Sequence, residues 1–332
     1  MPIRMAQYGT KHGHASGKAR SMVSNPDTEL VGIYEPDRTL WPRLEAAPEY
    51  AGLHWFRSSE EMLNDDSITA VAIEGGNHES LDMAHEAVSA GKYLWYDKPA
   101  GDNWESFQRL IAEARSRQLQ VQMGYMFRYH QGFQQIASWA RTGVLGDLFS
   151  VRAHMSTWLT APARDVISRH HGGIFYDLAG HMLDQVVWLL GRPQRATAFF
   201  HNDATSDVPA FSDNTLGVFE FERAIGFVDI AAMETRPMAR RFEVYGTRGS
   251  AIIVDPFEPG HQIRLCLAEA SSGYPAGVSL IDLPPQHRQT LYDRELVAFV
   301  ATLRGEQPPD RLLDHELLVQ ETLLRATGGI PE

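Results

Sequence analysis

A lysine and an aspartate–histidine pair are the side chains of this sequence best suited to move a proton. Lys98 ends an apolar, strand-like run, where partial burial would lower its pKa towards a useful range. Asp177 and His181 are four residues apart in the run HHGGIFYDLAGHMLDQVVWLLGRP, so on a helix they share one face. A carboxylate beside an imidazole holds its tautomer and raises its pKa. An acid/base site is therefore one interpretation, and a surface lysine with a polar helix seam is the other.

Other kinds of chemistry find fewer candidates. His170 and His171 could join Asp177 and His181 as metal ligands. Adjacent histidines tend to point apart, so we expect no metal site. The sequence has no G-x-S-x-G motif, and its single cysteine, Cys266, lies in a strand-like run rather than at a helix start. Nucleophilic hydrolysis therefore has no candidate residue.

The run QYGTKHGHASG, residues 7–17, lies where a nucleotide-binding loop would lie. A dinucleotide loop has the pattern G-x-G-x-x-G, whereas here Gly9 is followed by Lys11 and His14. Gly9 permits the tight turn, while Lys11 would either contact a phosphate or block its approach. The loop alone favours a cofactor site and a structural turn equally. The cofactor-binding residues expected in it are Gly9, Thr10, Lys11, His12, Gly13 and His14.

Two further segments would complete a cofactor site. Glu35 ends the second strand-like run roughly 20 residues after the loop, where an acidic side chain accepts hydrogen bonds from a ribose and repels a 2′-phosphate. This favours NAD, although the nearby Arg38 would still accept a phosphate, which keeps NADP as the alternative. The second segment is the run EGGNH, which follows a later strand, and its expected cofactor-binding residues are Glu74, Gly75, Asn77 and His78. Both segments are also compatible with ordinary solvated turns.

The order of strands and helices explains how these residues are positioned. Six strands, one of them at HWFRS (residues 54–58), alternate with helices up to residue 125, which predicts a parallel sheet covered on both faces. After about residue 147, short alternating runs separated by turns predict a large, open, mostly antiparallel sheet. Helices are expected at about 174–190, 288–304 and 313–327. The predicted fold is an α/β domain, 1–125, and an α+β domain, 126–332.

Composition restricts the class of protein. The 332 residues have a formal net charge of −12, which disfavours nucleic acid as a partner because phosphate binding needs a basic face. A single cysteine excludes an intrachain disulfide, and the N-terminal run lacks the apolar core of a signal peptide. No run of 18 apolar residues is present, so no membrane span is expected. A cytosolic protein fits these features best.

Three motifs together resemble the glucose–fructose oxidoreductase / inositol dehydrogenase (Gfo/Idh/MocA) family. They are Asp97-Lys98-Pro99, the run QMGYMFRYH, and the pattern Gly-Gly-x-x-x-Asp-x-x-x-His that ends at His181. The resemblance covers most of the chain, and RELVAFVATLRGEQPP resembles the late helix of the family. The family commonly has Glu-Lys-Pro where this chain has Asp97, which is a mild departure. Some members have histidine-rich versions of the first loop, so we expect this loop to be altered but functional.

The resemblance implies a Rossmann domain followed by an open antiparallel sheet. It implies that Lys98 takes part in proton transfer and touches both cofactor and substrate. It also implies that His181 is the acid/base on the reacting hydroxyl, and that Asp177 binds substrate and tunes His181.

The same resemblance suggests where substrate would bind, between the two domains. GYMFRYH resembles a cleft-lining turn, so Tyr125 and Arg128 are expected to meet substrate. Specificity is expected in residues 156–171, where Arg164 and His170 make the site polar without identifying one substrate.

The implied activity is NAD(P)-dependent hydride transfer at a hydroxyl-bearing carbon of a sugar, a polyol such as inositol, or a derivative. Members associate as homodimers or homotetramers through their open sheets, which implies the same here. One alternative is an enzyme whose NAD is never released and is recycled within a turnover, giving elimination or glycoside cleavage. The other is a non-catalytic binding protein on the same scaffold, because two loop glycines are missing.

Overall fold

Five parallel strands form the centre of the first of two units. The computed structural model describes residues 1–331. It divides into a first unit, residues 1–125 and 292–317, and a second unit, residues 126–291 and 318 onward. The sheet of the first unit has the order β2-β1-β3-β4-β5. Its strands are β1 (Ile3–Tyr8), β2 (Thr28–Tyr34), β3 (Ala70–Ile73), β4 (Tyr93–Tyr96) and β5 (Val121–Met123).

Helices between these strands begin and end where the local sequence indicates. The Asn103 side chain accepts the Ser106 N–H at 2.9 Å, and Ser58 accepts the Glu61 N–H at 3.2 Å, as expected for N-caps. Gly91, with φ +78°, follows the end of a helix in the left-handed conformation that favours glycine. The helices are α1 (Ala15–Ser24), α2 (Trp41–Glu45), α3 (Ser59–Leu63), α4 (Ser80–Ser89) and α5 (Trp104–Ser116).

The second unit is built on an eight-stranded mixed sheet of order β13-β12-β11-β10-β6-β9-β8-β7, in which only β6 and β9 pair in parallel. The predicted fold class, a parallel sheet followed by a large, mostly antiparallel sheet, is confirmed. Its strands are β6 (Leu148–Met155), β7 (Arg195–His201), β8 (Asn214–Glu220), β9 (Ile225–Ala231), β10 (Arg240–Gly246), β11 (Gly249–Ile253), β12 (Gln262–Leu267) and β13 (Gly277–Asp282). Its helices are α6 (Gln131–Arg141), α7 (Ala161–Ile167), α8 (Ile174–Leu178) and α9 (Gly180–Leu190).

The two faces of this sheet differ in burial. Along β6, Val151 and Ala153 are buried, whereas Arg152 is exposed and His154 is half-buried, as the two-residue period of a strand requires. The pairing register carries this alternation across all eight strands. We call the solvent-accessible side the open face; its apolar members are Phe199, Leu216, Val218, Ile225, Phe227, Ile252, Val278 and Leu280.

The last two helices, α10 (Arg288–Leu303) and α11 (Leu313–Ala326), change the predicted division of the chain. The sequence predicts that all of 126–332 lies in the second domain, whereas residues 292–317 belong to the first unit. Asp293 accepts the Ser21 hydroxyl at 2.6 Å, and the Glu295 carbonyl accepts the Gln122 amide at 3.1 Å. An amphipathic pattern shows which face of a helix is buried but not which sheet covers it.

Two predicted elements need correction, and one strand was missed. Residues 54–58 make only a bridge between Ile33 and Trp55 rather than a sixth strand. The helix expected at 174–190 is two helices that meet at Ala179, where the Met182 N–H bonds the Ala179 carbonyl in a tighter turn and Gly180 weakens the helix. The short edge strand β13 was not predicted. Over residues 1–331, no helix is long and apolar enough to span a membrane.

Candidate cofactor and proton-transfer sites

The carboxyl edge of the parallel sheet gathers most of the predicted cofactor residues. The loop after β1, the segment after β3 and the turn after β4 all leave the sheet at this edge. Open α/β sheets bind their ligands at this edge. The structure thereby brings His12 and His14 of the loop into contact with the distant Asp97, and His12 also within 3.6 Å of Glu74.

Gly9 sets the path of the loop. Its φ is +85°, and a Cβ there would lie 2.6 Å from the backbone nitrogen of Gly75. Only glycine fits such a close approach of the loop to the end of β3. The tight turn expected from the sequence is therefore present, and Gly75 forms its opposite wall.

Glu35 does not present its carboxylate as the sequence analysis expected. It is fully buried, and its Oε2 accepts the backbone N–H and the hydroxyl of Thr10 at 2.8 and 2.7 Å. Its Oε1 accepts the Asp37 N–H at 2.9 Å. The expected hydrogen bonds to a ribose are thus replaced by bonds that hold the loop, because Thr10 lies directly over the end of β2.

A buried group of charged side chains lies beneath the loop; we call His12, His14, Lys18, Glu74 and Asp97 the Asp97 cluster. The Oδ2 atom of Asp97 is its centre, with His14 Nδ1 at 2.9 Å, Lys18 Nζ at 3.1 Å and His12 Nδ1 at 3.3 Å. Lys18 Nζ also lies 2.9 Å from Glu74 Oε1. Lys18 and Glu74 are fully buried, so this ion pair is shielded from water.

Burial and charge set the two histidines of the cluster apart. Burial opposes charge on His12, but the facing Asp97 carboxylate outweighs it and raises the pKa of the imidazole to about 9. Burial dominates at His14 and lowers its pKa to about 3. Burial would by itself raise the pKa of Asp97, but the neighbouring imidazole and ammonium groups hold it well below its usual range. Two cations, His12 and Lys18, therefore face two carboxylates.

The positions of the ring protons follow from these partners. A carboxylate only accepts hydrogen bonds, so neutral His14 has its proton on Nδ1, facing Asp97. His12 Nδ1 lies 3.3 Å from Asp97 and 3.6 Å from Glu74, and also 3.2 Å from the His14 backbone N–H. One nitrogen cannot donate to the carboxylates and accept that N–H. The carboxylates of Asp97 and Glu74 favour the protonated form of His12, in which Nδ1 donates to them.

The same residues have the spacing of a metal site. One ligand atom each from His12, His14 and Asp97 lies within 4.8 Å of the others. The Lys18 ammonium already bonds Asp97 and Glu74, so a divalent ion would compete with it for both carboxylates. The arrangement is therefore complete with an ammonium and a protonated imidazole as its cations.

Two buried charged residues, Lys18 of the cluster and the nearby Glu295, were not singled out from the sequence. Lys18 lies on the same helical face as buried Ala15 and Met22, and Glu295 lies between buried Leu291 and Phe299 on α10. A charged residue in an apolar helical stripe indicates a buried charge with a partner. Burial raises the pKa of Glu295 to about 8, while Lys18 lowers it.

Lys98 begins the turn after β4 and is buried. Its backbone N–H donates to Asp97 Oδ1 at 2.8 Å, and the Lys98–Pro99 peptide bond is cis. Tyr125 ends the first unit, also buried, with the Arg311 guanidinium 5.4 Å from its ring.

The remaining predicted cofactor residues lie at the surface. Lys11 Nζ lies 3.1 Å from Glu79 Oε2, and exposed His78 lies 3.7 Å from the same carboxylate oxygen. Arg38 donates to the Arg57 carbonyl at 2.7 Å. Gly13 is exposed and Asn77 is half-buried.

The second unit holds the aspartate–histidine pair on two helices. His181, on α9, is 1% exposed and packs edge-on against Phe127 with ring centroids 5.3 Å apart. Asp177, on α8, is half-buried. His170 is buried and stacks on Tyr176 with an interplanar angle of 14°.

Two arginines expected to meet substrate have other partners. Arg128 is 3% exposed, and its guanidinium pairs with Asp184 through two hydrogen bonds. Arg164 is buried, donates to the Leu159 carbonyl at 2.7 Å and pairs with Asp207. These guanidinium groups hold segments of the second unit together, and their expected contacts with substrate stay predictions. Sequence spacing gave no indication of either carboxylate.

The fold and the loop place the chain in the class of Rossmann proteins that carry a second, mostly antiparallel domain. Residues 5–125 match the family model described as an oxidoreductase family with an NAD-binding Rossmann fold, and residues 133–252 match the GFO/IDH/MocA C-terminal domain. The chain belongs to the GFO/IDH/MocA oxidoreductase family, which confirms the resemblance seen in the sequence.

Curated relatives are distant. The chain is 27% identical to the uncharacterized oxidoreductase YhhX of Escherichia coli over 217 residues, which cover 63% of this chain and 59% of that protein. It is 26% identical to the inositol 2-dehydrogenase of Salmonella typhimurium over 174 residues, which cover 52% of this chain and 50% of the enzyme. The chain thus spans about half the length of the curated relatives it matches.

Solved structures share the fold over nearly the whole chain. A putative oxidoreductase from Erwinia carotovora superimposes with a TM-score of 0.83 at 16% identity, covering 99% of both chains. GenD2 from gentamicin A biosynthesis, solved in complex with NAD, gives a TM-score of 0.81 at 21% identity, covering 99% of this chain and 94% of GenD2. At these identities the likeness shows the fold alone.

Proposed function

We propose that this protein is an NAD-dependent oxidoreductase that transfers a hydride between nicotinamide and a hydroxyl-bearing carbon of a sugar, polyol or derivative. The main support is the Gly9 turn at the carboxyl edge of a family-matched Rossmann sheet. The curated relatives include an inositol 2-dehydrogenase, which suggests the class of substrate.

The loop retains groups that suit a pyrophosphate, although two glycines of the fingerprint are replaced. Gly13 and Ser16 present backbone N–H groups at the start of α1 for which the described residues offer no acceptor. Donors at a helix N-terminus favour phosphate. The Lys11 ammonium adds a cation beside them. These residues would hold the cofactor by its phosphates.

NAD is proposed over NADP because the end of β2 is acidic. Glu35 lies beneath the loop, and half-buried Asp37 has its pKa lowered by hydrogen bonds from Thr39. These two carboxylates would repel a 2′-phosphate, with Arg38 and Lys11 as cations nearby.

Bound nicotinamide would accept or supply the hydride, and the protein would bind, orient and move protons. We propose Lys98 and His181 as the proton-transfer residues, with Asp177 as the group that orients substrate. Burial of Lys98 and His181 supports this, since water is kept from both side chains. Tyr125 and His170 remain proposed substrate contacts.

The first experiment is a titration of the purified protein with NADH and, separately, NADPH, followed by nicotinamide fluorescence. We expect the Kd for NADH to be lower than the Kd for NADPH by about tenfold or more. An Asp37→Ser variant should narrow that ratio. If neither nucleotide binds, the protein is the non-catalytic member of the family. If the purified protein already absorbs near 340 nm, it retains its nicotinamide, and the recycling alternative is favoured over a dehydrogenase.

The second experiment separates chemistry from binding. Lys98→Ala should lower kcat for an active sugar or polyol by about 10²–10⁴, with NADH binding largely kept. Arg109→Ala, an exposed cation on α5, is the matched control and should leave both unchanged. Full activity in Lys98→Ala would remove Lys98 from the mechanism.

We further propose that two copies of the chain associate through the open face. Phe199, Ile225, Val278 and Leu280 on this face are 54–60% exposed, and association of two copies would remove this apolar surface from water. Light scattering should give twice the 37.2 kDa chain mass or a higher multiple. Leu280→Glu should lower it towards one chain, whereas Val23→Glu, equally exposed on α1, should not.

A further inference from the structure

His14 occupies the position of the third fingerprint glycine, where a side chain would usually be excluded. That glycine normally permits close packing of the helix on the strand. Here the imidazole is 8% exposed and its Nδ1 donates to the Asp97 carboxylate, 2.9 Å from Oδ2 and 3.1 Å from Oδ1. The ring also lies 5.1 Å from that of Tyr292. The loop has therefore exchanged a glycine for a buried hydrogen-bond donor.

Asp97 is held from several sides. A Cβ on Gly124, which follows β5, would lie 2.6 Å from Asp97 Oδ1, so the carboxylate fills the space there. From the other side, His14 and Lys18 contact it. These contacts come from two separate parts of the chain, the start of α1 and the end of β5, so the carboxylate has little freedom to move.

The same carboxylate holds the turn that bears Lys98. Asp97 Oδ1 accepts the Lys98 backbone N–H at 2.8 Å and lies 3.1 Å from His14 Nδ1. One oxygen atom thereby links the dinucleotide loop to the backbone of the proposed proton-transfer lysine. No other hydrogen bond is needed to connect the two.

We propose that His14 is a positioning residue. Through Asp97, it holds the turn that bears Lys98 at a fixed position relative to the dinucleotide loop. This inference rests on the proposed role of Lys98. This role would explain why the loop departs from the glycine pattern. The loop would bind the cofactor with fewer backbone donors, but it would be linked through Asp97 to Lys98, the proposed proton-transfer residue.

The first test uses the backbone amide of Lys98 and needs no activity. Hydrogen–deuterium exchange at this amide should be about tenfold faster in His14→Gly than in the wild type. His14→Asn, whose side-chain amide can donate near the place of Nδ1, should exchange like the wild type. His201→Gly, an exposed histidine at the end of β7, is the control. Equal exchange in His14→Gly and wild type would overturn the proposal.

The second test is kinetic. His14→Gly and Asp97→Asn should each lower kcat about tenfold or more, and the double variant should be little worse than the worse single variant, since both break one link. The Kd for NADH should change much less than kcat in His14→Gly. Effects on kcat that multiply in the double variant would show independent roles and reject the link.

A third measurement covers the case in which His14→Gly fails to fold. Nitrogen-15 spectra of histidine-labelled wild-type protein should show His14 neutral, with its proton on Nδ1, at neutral pH. A proton on Nε2 instead would contradict the bond to Asp97. If the wild type binds no NADH and Lys98→Ala has no effect, the proposed function fails, while the exchange and spectra still decide whether the link exists.

Discussion

The Asp97 cluster of the first unit and a histidine cluster of the second unit contain the same kinds of groups in different surroundings. In the second, His154 on β6 lies between two carboxylates, with Nδ1 3.0 Å from Asp229 and Nε2 3.2 Å from Glu234. Ser156 Oγ lies 2.9 Å from Nε2. We call these four residues the His154 cluster. His154 and its two carboxylates are partly exposed, whereas the Asp97 cluster is buried.

Burial makes the two clusters behave differently. At His154, the hydrogen bond to Asp229 raises the pKa and burial only partly opposes it. In the Asp97 cluster, burial is the largest influence on both imidazoles, and only His12, which faces two carboxylates, stays charged. Histidine and carboxylate side chains thus give a solvated ion pair in one place and a fixed division of charge in the other.

The His154 cluster also shows that a suggestive residue set is not enough. Serine, histidine and aspartate lie within hydrogen-bond distance in it, as in a nucleophilic triad. Both His154 nitrogens face carboxylates, and the hydrogen bond to Asp229 raises the pKa of the imidazole, which favours the charged form that cannot accept the Ser156 proton. The expectation that the chain has no nucleophile for hydrolysis stays in place.

The largest effect should come from removing the buried ammonium of the Asp97 cluster. Lys18→Met leaves Glu74 and Asp97 without their cation and should lower the free energy of unfolding by about 3–5 kcal/mol, the usual loss when half of a buried ion pair is removed. Urea unfolding at neutral pH measures it.

Lys92→Met is the matched control for that change. Lys92 is also buried, but it bonds only the Asp65 and Ile68 carbonyls, each at 2.9 Å. Its loss should cost about 1–3 kcal/mol, since no charge is left alone. Equal losses for the two variants would mean that the cluster contributes no special electrostatic stability.

A second change tests the buried acid next to the cluster. The pKa of Glu295 is raised to about 8 from an ordinary value of 4.5, so the folded protein holds a proton that the unfolded chain releases. Stability from this group is fully present below about pH 4.5 and is lost as pH rises through 8. Glu295→Gln, which has no proton to lose, should therefore gain about 2–4 kcal/mol relative to wild type between pH 5 and 8. If the free energies of unfolding of wild type and Glu295→Gln changed with pH in the same way over that range, Glu295 would not hold a buried proton.

The smallest effect belongs to the His154 cluster. His154→Gln should change the free energy of unfolding by less than about 1 kcal/mol, because the pair with Asp229 is partly solvated. A raised pKa means that the contribution is full below the ordinary value of 6.5 and fades at higher pH. Thermal unfolding of wild type and His154→Gln at pH 5.5 and pH 9 measures this loss of stability. A larger loss at pH 9 than at pH 5.5 would contradict the raised pKa of His154.

Much of the fold could be predicted from local patterns. Alternating strands and helices before residue 125 and two-residue periods after 147 are properties of neighbouring residues, and the caps at Asn103 and Ser58 follow the same logic. The pattern was less informative where packing decides. A bridge at Trp55 resembles a strand, and the break at Ala179 lies inside a continuous apolar helix pattern.

The candidate site was predicted in part. Positions near the carboxyl edge were found, because the ends of parallel strands follow from their order. Pairings across the chain were not: Arg128 with Asp184 and Arg164 with Asp207 join residues 56 and 43 positions apart. No local spacing indicates such partners, so the sequence did not predict the carboxylates that these two arginines bind within their own chain.

By itself, the sequence determined the family, the two kinds of sheet and the residue types available at the edge of the first sheet, because periodicity and motifs are local. Only the tertiary structure decided which of these residues are buried together. Burial depends on contacts between distant segments, and it separates a neutral His14 from a charged His12 two residues away. The tertiary structure also turned Glu35 towards Thr10 and placed Asp97 between the loop and Lys98.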